Sequence, residues 1–289
     1  MKKITKAVIP VAGLGTRFLP YTQAIPKEML PLIDTPILWY IVKEAIDAGY
    51  EDIVLIQGRN KGSIENFFDK NYELEDKLEK SGKLKELELL HSIQNSANII
   101  SIRQKEAKGL GHAVLCSQPI VGDEAFSVLL GDEVMLGNGN PSKQLRDHFI
   151  EHQNPVVSVM EVPEDQTHLY GIADYDENSF DGLAYKATNF VEKPKPGTVK
   201  SRFALPGRYV FLPSIFDYIK SSGKGVLGEI QLTDSMQTQS NKEGMWVVPI
   251  DANRFDTGNK LGYLQANIFL AMQQEEYKDK IVKFIEGLK

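Results

Sequence analysis

The sequence predicts an α/β fold in which a mixed, mainly parallel sheet lies between two layers of helices. In the first half of the chain, strand-length apolar runs alternate with amphipathic helical patterns, which is typical of a parallel sheet with crossover helices. In the second half, several strand-like runs follow one another with turn signals between them, which indicates an antiparallel extension of the same sheet. The 289 residues, of which 42% are hydrophobic, are enough to bury such a core.

The elements of the first half follow from these patterns in chain order. Apolar runs predict strands at 6–11, 52–57, 98–103 and 125–130, and amphipathic patterns predict helices at 37–48, 63–69 and 141–152. The first of these helices is expected to end at Gly49 and the last of these strands at Gly131. Asp132 and Glu133 then stand at the carboxyl end of a strand, where open α/β sheets bind ligands.

The second half is predicted to consist mainly of strands. They are expected at 155–161, 170–175, 183–192 and 207–211, with turn residues such as Asp176-Glu177-Asn178 between them. The charged segment 70–88, in the first half, is predicted to be a polar helix at the surface or in a subunit contact. No Pro/Gly/Ser-rich linker divides the chain, so we expect one continuous domain over 1–289.

Composition excludes several classes of protein. The net charge is -6 and the basic residues are spread along the chain, so no electrostatic surface for nucleic acid or an anionic membrane is expected. The apolar runs are strand-sized, and the N-terminal stretch lacks the pattern of a signal peptide, so we expect a cytoplasmic protein. The single cysteine, Cys116, excludes an intramolecular disulfide and is interpreted as a buried apolar residue rather than a nucleophile.

His148 and His152 are the one suggestive histidine pair. Their i,i+4 spacing would place both on one face of a helix. The sequence offers no clear third ligand nearby and no metalloprotease-like glutamate, so we interpret the pair as part of a solvated helix face rather than as a metal site.

A glycine-containing loop follows the first predicted strand. Gly13 and Gly15 would let backbone N–H groups approach a phosphate, although the two glycines alone fit a plain turn equally well. A dinucleotide fingerprint would need a small residue where Phe18 stands and an acidic residue where Gln57 stands, which disfavours an NAD-dependent oxidoreductase. A Walker A motif is also excluded, because no Gly-Lys-Ser/Thr closes the loop.

Two cations follow these glycines and favour the phosphate interpretation. Arg17 can reach back over phosphates that the loop holds, as a charge-assisted partner. Lys27 lies between two prolines in "IPKEMLPL", which stiffen its presentation and suggest a role in charge neutralisation.

With these motifs the sequence resembles a known family. The stretch "AGLGTRFLPYTQAIPKEMLPLIDTPILWYIVKEAIDAG" is similar to the N-terminus of sugar-1-phosphate nucleotidylyltransferases, whose signature is Gly-x-Gly-Thr-Arg followed by Pro-Lys. "AIPKEMLPL" and "GSIENFFD" resemble one branch, the bacterial UTP-glucose-1-phosphate uridylyltransferases (UDP-glucose pyrophosphorylases). Similar segments continue through "QKEAKGLGHAV", "LLGDE", "YGI", "FVEKPKPG", "GRYVF", "GEIQLTD" and "FDTGNKLGY", so the resemblance spans essentially the whole chain.

The resemblance implies a fold, a reaction and an assembly. The fold would be the Rossmann-like three-layer α/β/α type of the nucleotide-diphospho-sugar transferases, with a nucleotide-binding half at 1–153 and a sugar-binding half with C-terminal helices at 154–289. The reaction would be Mg²⁺-dependent attack of glucose 1-phosphate on the α-phosphorus of UTP, giving UDP-glucose and diphosphate. Because the nucleophile is already an anion, the enzyme needs positioning and charge neutralisation rather than a general base. A homodimer or homotetramer is the family expectation.

The resemblance also implies roles on the nucleotide side. The residues that match nucleotide-binding positions are Ala12, Gly13, Gly15, Gln104 and Gly109. Arg17 would stabilise the leaving diphosphate and Lys27 the α-phosphate. Gln104 would meet the edge of uracil, although a polar strand-end residue is the plainer alternative, and Gly109 would let the chain approach the base.

Metal and sugar positions follow in the same way. Asp132 and Asp256 match the two metal ligands of the family, and Mg²⁺ prefers carboxylate oxygens. The residues that match sugar-side positions are Gly171, Glu192, Lys193 and, more weakly, Glu229. Glu192 would bind the sugar hydroxyls and Lys193 the sugar phosphate, while Glu229 would shape the sugar pocket or cap a helix. Glu133 stands where the family usually has Asp, and its role beside the sugar or the metal stays open.

Two rival functions remain open from the sequence. Thymidylyl transfer from dTTP differs from uridylyl transfer by a base methyl and a 2'-hydroxyl, and one methylene-sized difference is worth only ~1–3 kcal/mol of discrimination. A regulatory module that binds nucleotide sugars without catalysis would be expected to have lost some of the matched charged residues. All of the matched charged residues are present.

Overall fold

The computed structural model describes residues 4–195, 197–223 and 228–288. The strands are β1 (Ile4–Val11), β2 (Pro31–Leu32), β3 (Thr35–Pro36), β4 (Asp52–Gln57), β5 (Asn98–Arg103), β6 (Ala125–Leu129), β7 (Glu133–Leu136), β8 (Val156–Glu161), β9 (Gly171–Asp176), β10 (Tyr185–Glu192), β11 (Phe203–Ala204), β12 (Arg208–Phe211), β13 (Trp246–Pro249) and β14 (Asn253–Asp256). The helices are α1 (Ile37–Asp47), α2 (Gly62–Phe68), α3 (Tyr72–Lys80), α4 (Leu84–Gln94), α5 (Leu110–Leu115), α6 (Gln118–Val121), α7 (Pro141–His152), α8 (Ile215–Ser221), α9 (Leu232–Glu243), α10 (Lys260–Gln273) and α11 (Glu275–Glu286).

Ten of these strands form one mixed sheet in the order β11-β9-β10-β13-β8-β12-β6-β1-β4-β5. Strands β6, β1, β4 and β5 run parallel to one another, as the alternating pattern of the first half predicts. Strand β12 joins β6 in antiparallel orientation and continues into the strands of the second half. The predicted α/β class and the antiparallel extension are therefore confirmed.

Helices cover both faces of the sheet, because side chains of each strand point alternately to the two sides. Ile9 packs into a core cluster with α1 and α7, whereas Val8 packs into a second cluster with α8 and α9. The three layers expected from the sequence are thus present. None of the helices in the described part of the chain is long and apolar enough to cross a membrane.

The element predictions needed two corrections. The segment 70–88 is not one helix: α3 and the beginning of α4 share it, because the chain turns at Gly82, whose φ is +69°. The strand that ends at Gly131 is followed by a further short strand, β7, which pairs with β14 in a separate two-stranded sheet. Each strand of this pair has only four residues, too few for a periodic signal.

The solvated interpretation of His148 and His152 was wrong. His148 is only 3% exposed and packs edge-on against Trp246, while His152 is half-buried beside it. The third group that the sequence did not reveal is Asp181, whose carboxylate lies 3.0 Å from His148 Nε2. By contrast, Cys116 packs against the second core cluster as predicted, although it is half-buried rather than fully buried, and burial raises the pKa of its thiol.

Candidate active site

The candidate site lies where the parallel strands β1 and β6 end. Their carboxyl ends are neighbours in the sheet, so the loop after β1 and the loop after β6 face the same crevice. A cavity of 490 Å³ opens between them, within the range of small-molecule sites. Its lining includes all the predicted nucleotide residues, Ala12, Gly13, Gly15, Gln104 and Gly109, together with Lys27 and the predicted metal ligand Asp132.

The conformation of the glycine loop is fixed at Gly15. Gly15 has a φ of +67°, a left-handed conformation that glycine adopts without strain, and its carbonyl accepts a hydrogen bond of 2.7 Å from the Thr22 hydroxyl. A side chain at Gly13 would meet the end of Lys27, whose Cε lies 3.6 Å from the ideal Cβ position. The end of the Lys27 side chain therefore lies close beside the loop backbone at Gly13.

Lys27 and Asp132 form an ion pair on the floor of this cavity. Lys27 Nζ donates to Asp132 Oδ2 at 2.5 Å, and both side chains are largely buried. Burial acts to lower the pKa of Lys27, but the Asp132 and Glu28 carboxylates outweigh it and raise the pKa above its ordinary value. Lys27 is therefore a fixed positive charge at neutral pH. Lys61 pairs with Glu28 at 2.7 Å and anchors the segment that carries Lys27.

The small sheet of β7 and β14 brings the two predicted metal ligands together. Asp256 lies opposite Glu133 in this antiparallel pair, and the Thr257 backbone N–H donates to the Asp132 carbonyl at 2.9 Å. Gly258 lies between the carboxylates. A Cβ there would stand 2.6 Å from Asp132 Oδ2 and 3.0 Å from Asp256 Oδ1, so only glycine fits the gap.

Arg254 is a site residue that sequence reasoning missed. Its guanidinium holds Glu133 with two hydrogen bonds of 2.5 and 2.6 Å, reaches the Tyr170 hydroxyl at 3.0 Å, and lies 3.9 Å from Asp256. Burial raises the pKa of Glu133 to about 8, against the opposing effect of this guanidinium. One signal was available: Arg254 and Asp256 are two apart in a strand, and the period of two places them on one face.

A second cavity, of 220 Å³, adjoins the first on the side of β9 and α9. It contains the predicted sugar residues Gly171, Glu192 and Glu133. Glu192 Oε2 accepts a hydrogen bond of 2.6 Å from the Thr233 hydroxyl, which fixes the carboxylate. Arg17 lines this cavity, and its guanidinium approaches the Gly258 carbonyl at 3.5 Å. Arg17 thus stands next to the carboxylate pair.

Gln104 and Gly109 lie next to each other in the wall of the larger cavity. Gln104 Nε2 donates to the Gly109 carbonyl at 3.2 Å and lies 2.9 Å from His112 Nδ1. Gly109 has a φ of +93°, and a Cβ there would lie 2.9 Å from the Ile230 carbonyl oxygen. The close passage of this backbone segment therefore also requires glycine at 109.

Two of the residues predicted for the sugar side, Lys193 and Glu229, are not among those that line the smaller cavity. Lys193 has an exposed side chain, with Nζ 3.9 Å from Glu192 Oε1. Glu229 lines the larger cavity beside Gly109 rather than the smaller one, because the segment before α9 folds over the loop at 109. Nor does Glu229 cap α9, whose N-cap residue is Gln231 and has no side-chain capping bond.

Known proteins match this chain over its full length. The family model for nucleotidyl transferases covers residues 6–273. The UTP-glucose-1-phosphate uridylyltransferase of Bacillus subtilis (strain 168) is 46% identical over 288 residues, which are 100% of this chain and 98% of that protein.

Solved structures agree with the sequence matches. A UTP-bound UGPase from Acinetobacter baumannii superposes with a TM-score of 0.91 at 36% identity, over 99% of this chain and all of that one. A UDP-glucose pyrophosphorylase complexed with UDP-glucose has a TM-score of 0.86 at 33% identity, over 94% of this chain and all of that one. The expected three-layer fold therefore has close relatives that bind a nucleotide and a nucleotide sugar.

Proposed function

The chain belongs to the nucleotidyl transferase family, and from this premise we propose that it transfers the uridylyl group of UTP to glucose 1-phosphate, giving UDP-glucose and diphosphate. The observation that carries the proposal is the pair of adjoining cavities on one crevice. The larger is lined by the glycine loop and the smaller by Glu192 and Thr233. The relatives that are named for this reaction match the chain over its whole length.

The chain's own residues would act by position and charge. The backbone of the loop from Ala12 to Gly15 would bind the triphosphate, with Arg17 beside the departing diphosphate. Lys27 would turn from Asp132 to the α-phosphate and neutralise the charge that two phosphates bring together. No proton has to be removed, because the attacking sugar phosphate is an anion.

On the sugar side, hydrogen-bonding groups would orient the acceptor. Glu192, fixed by Thr233, would accept hydrogen bonds from sugar hydroxyls, and the backbone at Gly171 would contact the ring. Lys193, next to Glu192 in the chain and 3.9 Å from its carboxylate, would bind the sugar phosphate. Its φ of +44° is unusual for a non-glycine residue, and such backbone conformations are common at ligand sites.

We propose Mg²⁺ as the cofactor of this site, held by Asp132 and Asp256. The donor set fits: two carboxylates converge on a gap that only glycine leaves open, and Mg²⁺ is held in proteins by one or two carboxylates together with substrate phosphates. When bound, the cation would neutralise the charge of the triphosphate. Arg254 would keep Glu133 out of this donor set by holding both of its oxygens.

Three coarser expectations remain part of the proposal. The chain would act as one domain, because the ten-stranded sheet runs through both of its halves. A homodimer or homotetramer is proposed from the exposed apolar residues of the C-terminal helices, among them Leu261, Leu264 and Phe284. A cytoplasmic location agrees with a single cysteine that has no intramolecular disulfide partner.

Diphosphate release separates the nucleotide alternatives. With UTP and dTTP at limiting concentration and glucose 1-phosphate as acceptor, we expect higher kcat/KM for UTP; a clear preference for dTTP would instead indicate a thymidylyltransferase. Galactose and glucosamine 1-phosphates test the acceptor.

A variant pair separates an enzyme from a regulatory binding module. Asp132→Ala should abolish Mg²⁺-dependent turnover. Asp123→Ala, at an exposed position near the opposite end of β6, is the matched control and should keep it. Activity of the Asp132 variant at the level of the control would remove that residue from the proposed site.

A further inference from the structure

A histidine and carboxylate cluster lies at the end of α7, apart from the residues of the proposed active site. His148 and His152 are one helical turn apart, and their rings stack with centroids 4.2 Å apart and planes at 23°. Asp181, in the turn before β10, approaches both rings. The ligand atoms of these three residues all lie within 4.8 Å of one another.

Asp181 is oriented toward the two rings by the backbone of its own turn. Its Oδ1 accepts hydrogen bonds from the backbone N–H groups of Leu183 and Ala184 at 2.9 and 2.7 Å. The other oxygen, Oδ2, lies 3.0 Å from His148 Nε2 and 3.5 Å from His152 Nε2. One carboxylate oxygen thus meets the corresponding nitrogen of both histidines.

A hydrogen bond explains only the shorter of the two distances from Asp181 Oδ2 to the histidine nitrogens. The distance of 3.0 Å suits an N–H donor, but 3.5 Å is outside the usual range of ~2.7–3.2 Å for such a bond. A tetrahedral ion with ligands at ~2.0 Å holds them ~3.3 Å apart, which lies between the two observed distances. The two histidine nitrogens lie within 4.8 Å of each other, so side-chain movements of up to about 1.5 Å would place all three atoms around one ion.

We propose that His148, His152 and Asp181 form a binding site for a divalent transition metal ion such as Zn²⁺. Imidazole nitrogen is a ligand that zinc accepts and magnesium avoids, so this site differs in selectivity from the carboxylate pair at Asp132 and Asp256. The ion would join α7 to the turn before β10, two elements that are 29 residues or more apart along the chain. Three protein ligands leave a fourth position for water.

One feature of the cluster limits its affinity. A metal bound at Nε2 moves the proton of His148 to Nδ1, and that atom is buried with no hydrogen-bond partner among the described groups. An unpaired buried donor is unfavourable, so we expect weaker binding than at structural zinc sites with four ligands. Micromolar zinc should nevertheless fill the site, because two imidazole nitrogens and a carboxylate oxygen already lie within 4.8 Å of one another.

Trp246 provides a readout that does not depend on catalysis. Its ring lies 5.2 Å from the His148 ring and 5.3 Å from the His152 ring. The chain has two tryptophans, so Trp39→Phe leaves Trp246 as the only one. A change in its emission would report an ion at this cluster.

The test is a zinc titration of the full-length Trp39→Phe protein, with millimolar Mg²⁺ present to saturate the carboxylate pair. We expect one equivalent of Zn²⁺ to bind at micromolar concentration and to change the Trp246 emission, and Co²⁺ to give the visible absorption of a tetrahedral complex. His152→Ala and Asp181→Asn should each lose this equivalent. His91→Ala should keep it, because His91 pairs with Glu75 on the surface and lacks a second imidazole.

The outcomes are decisive in both directions. Loss of one equivalent in both cluster variants but not in His91→Ala supports the site, and so does a rise in Tm with zinc that is absent from the same two variants. Asp181→Asn preserves side-chain size, so it keeps the test valid if His152→Ala folds poorly. Equal zinc stoichiometry in wild type and Asp181→Asn, or no zinc-dependent change at Trp246, would show that the cluster is only a hydrogen-bonded pair.

Discussion

Replacing Gly258 with alanine should disable the proposed metal site while leaving the fold intact. The new Cβ would stand 2.6 Å from Asp132 Oδ2, whereas ordinary contact begins at 3.4 Å, so this carboxylate must move by about 0.8 Å. Asp256 Oδ1, at 3.0 Å, must move as well. A misplacement of ~1 Å at a reacting centre can lower the rate ~10²-fold. The φ of Gly258 is not in the left-handed region, so alanine adds no backbone strain.

The assay is diphosphate release as a function of Mg²⁺ concentration. We expect Gly258→Ala to lower kcat by ~10²-fold and to require more Mg²⁺ for half-maximal activity, because both displaced carboxylates are proposed ligands. Gly62→Ala is the control, since a Cβ at Gly62 meets no atom within 4 Å. Wild-type activity and Mg²⁺ dependence in Gly258→Ala, at an unchanged Tm, would refute the placement of the metal between these carboxylates.

Three further variants test the same region and the histidine cluster. Arg254→Gln leaves Glu133 buried without its partner and should lower the free energy of unfolding by ~3 kcal/mol in urea denaturation. Adding Glu133→Gln should recover part of this loss, and additive losses in the double variant would contradict the pairing. Lys27→Met should reduce kcat/KM by ~10²-fold or more with little change in KM for the sugar, and a change in KM alone would contradict its role at the α-phosphate. Burial lowers the pKa of His148 below 6.5, so the folded state binds fewer protons at this residue than the unfolded state does. The free energy of unfolding should therefore fall as the pH falls through 6.5. His148→Asn should flatten this pH dependence, and an equal slope in the variant would contradict the role of His148.

The sequence predicted the sheet well where strand-length runs are rich in β-branched residues. The strands at 52–57 and 98–103 have the predicted bounds, because each is a six-residue run with a high β-branched content. The pair β7 and β14 could not be predicted, since each strand is short and the partners are more than 110 residues apart. That pair nevertheless sets the position of Asp256 beside Asp132.

Site residues could be predicted from the sequence where they belong to a short local motif. The loop glycines, Lys27 and Gln104 all line one cavity, as their motifs indicated. Arg254 and Asp181 were missed because each acts through a partner distant in sequence, Glu133 in one case and a histidine pair in the other. A single sequence gives the spacing within an element, but not which side chain a separate turn brings to it.

The most direct test of uridylyl transfer follows the α-phosphorus itself. UTP labelled at the α-phosphorus is incubated with the protein, glucose 1-phosphate and Mg²⁺, and the products are separated. Attack at that phosphorus predicts that all transferred label appears in UDP-glucose and none in diphosphate. Label in diphosphate, or no labelled nucleotide sugar under conditions where the folded protein binds UTP, would contradict the account.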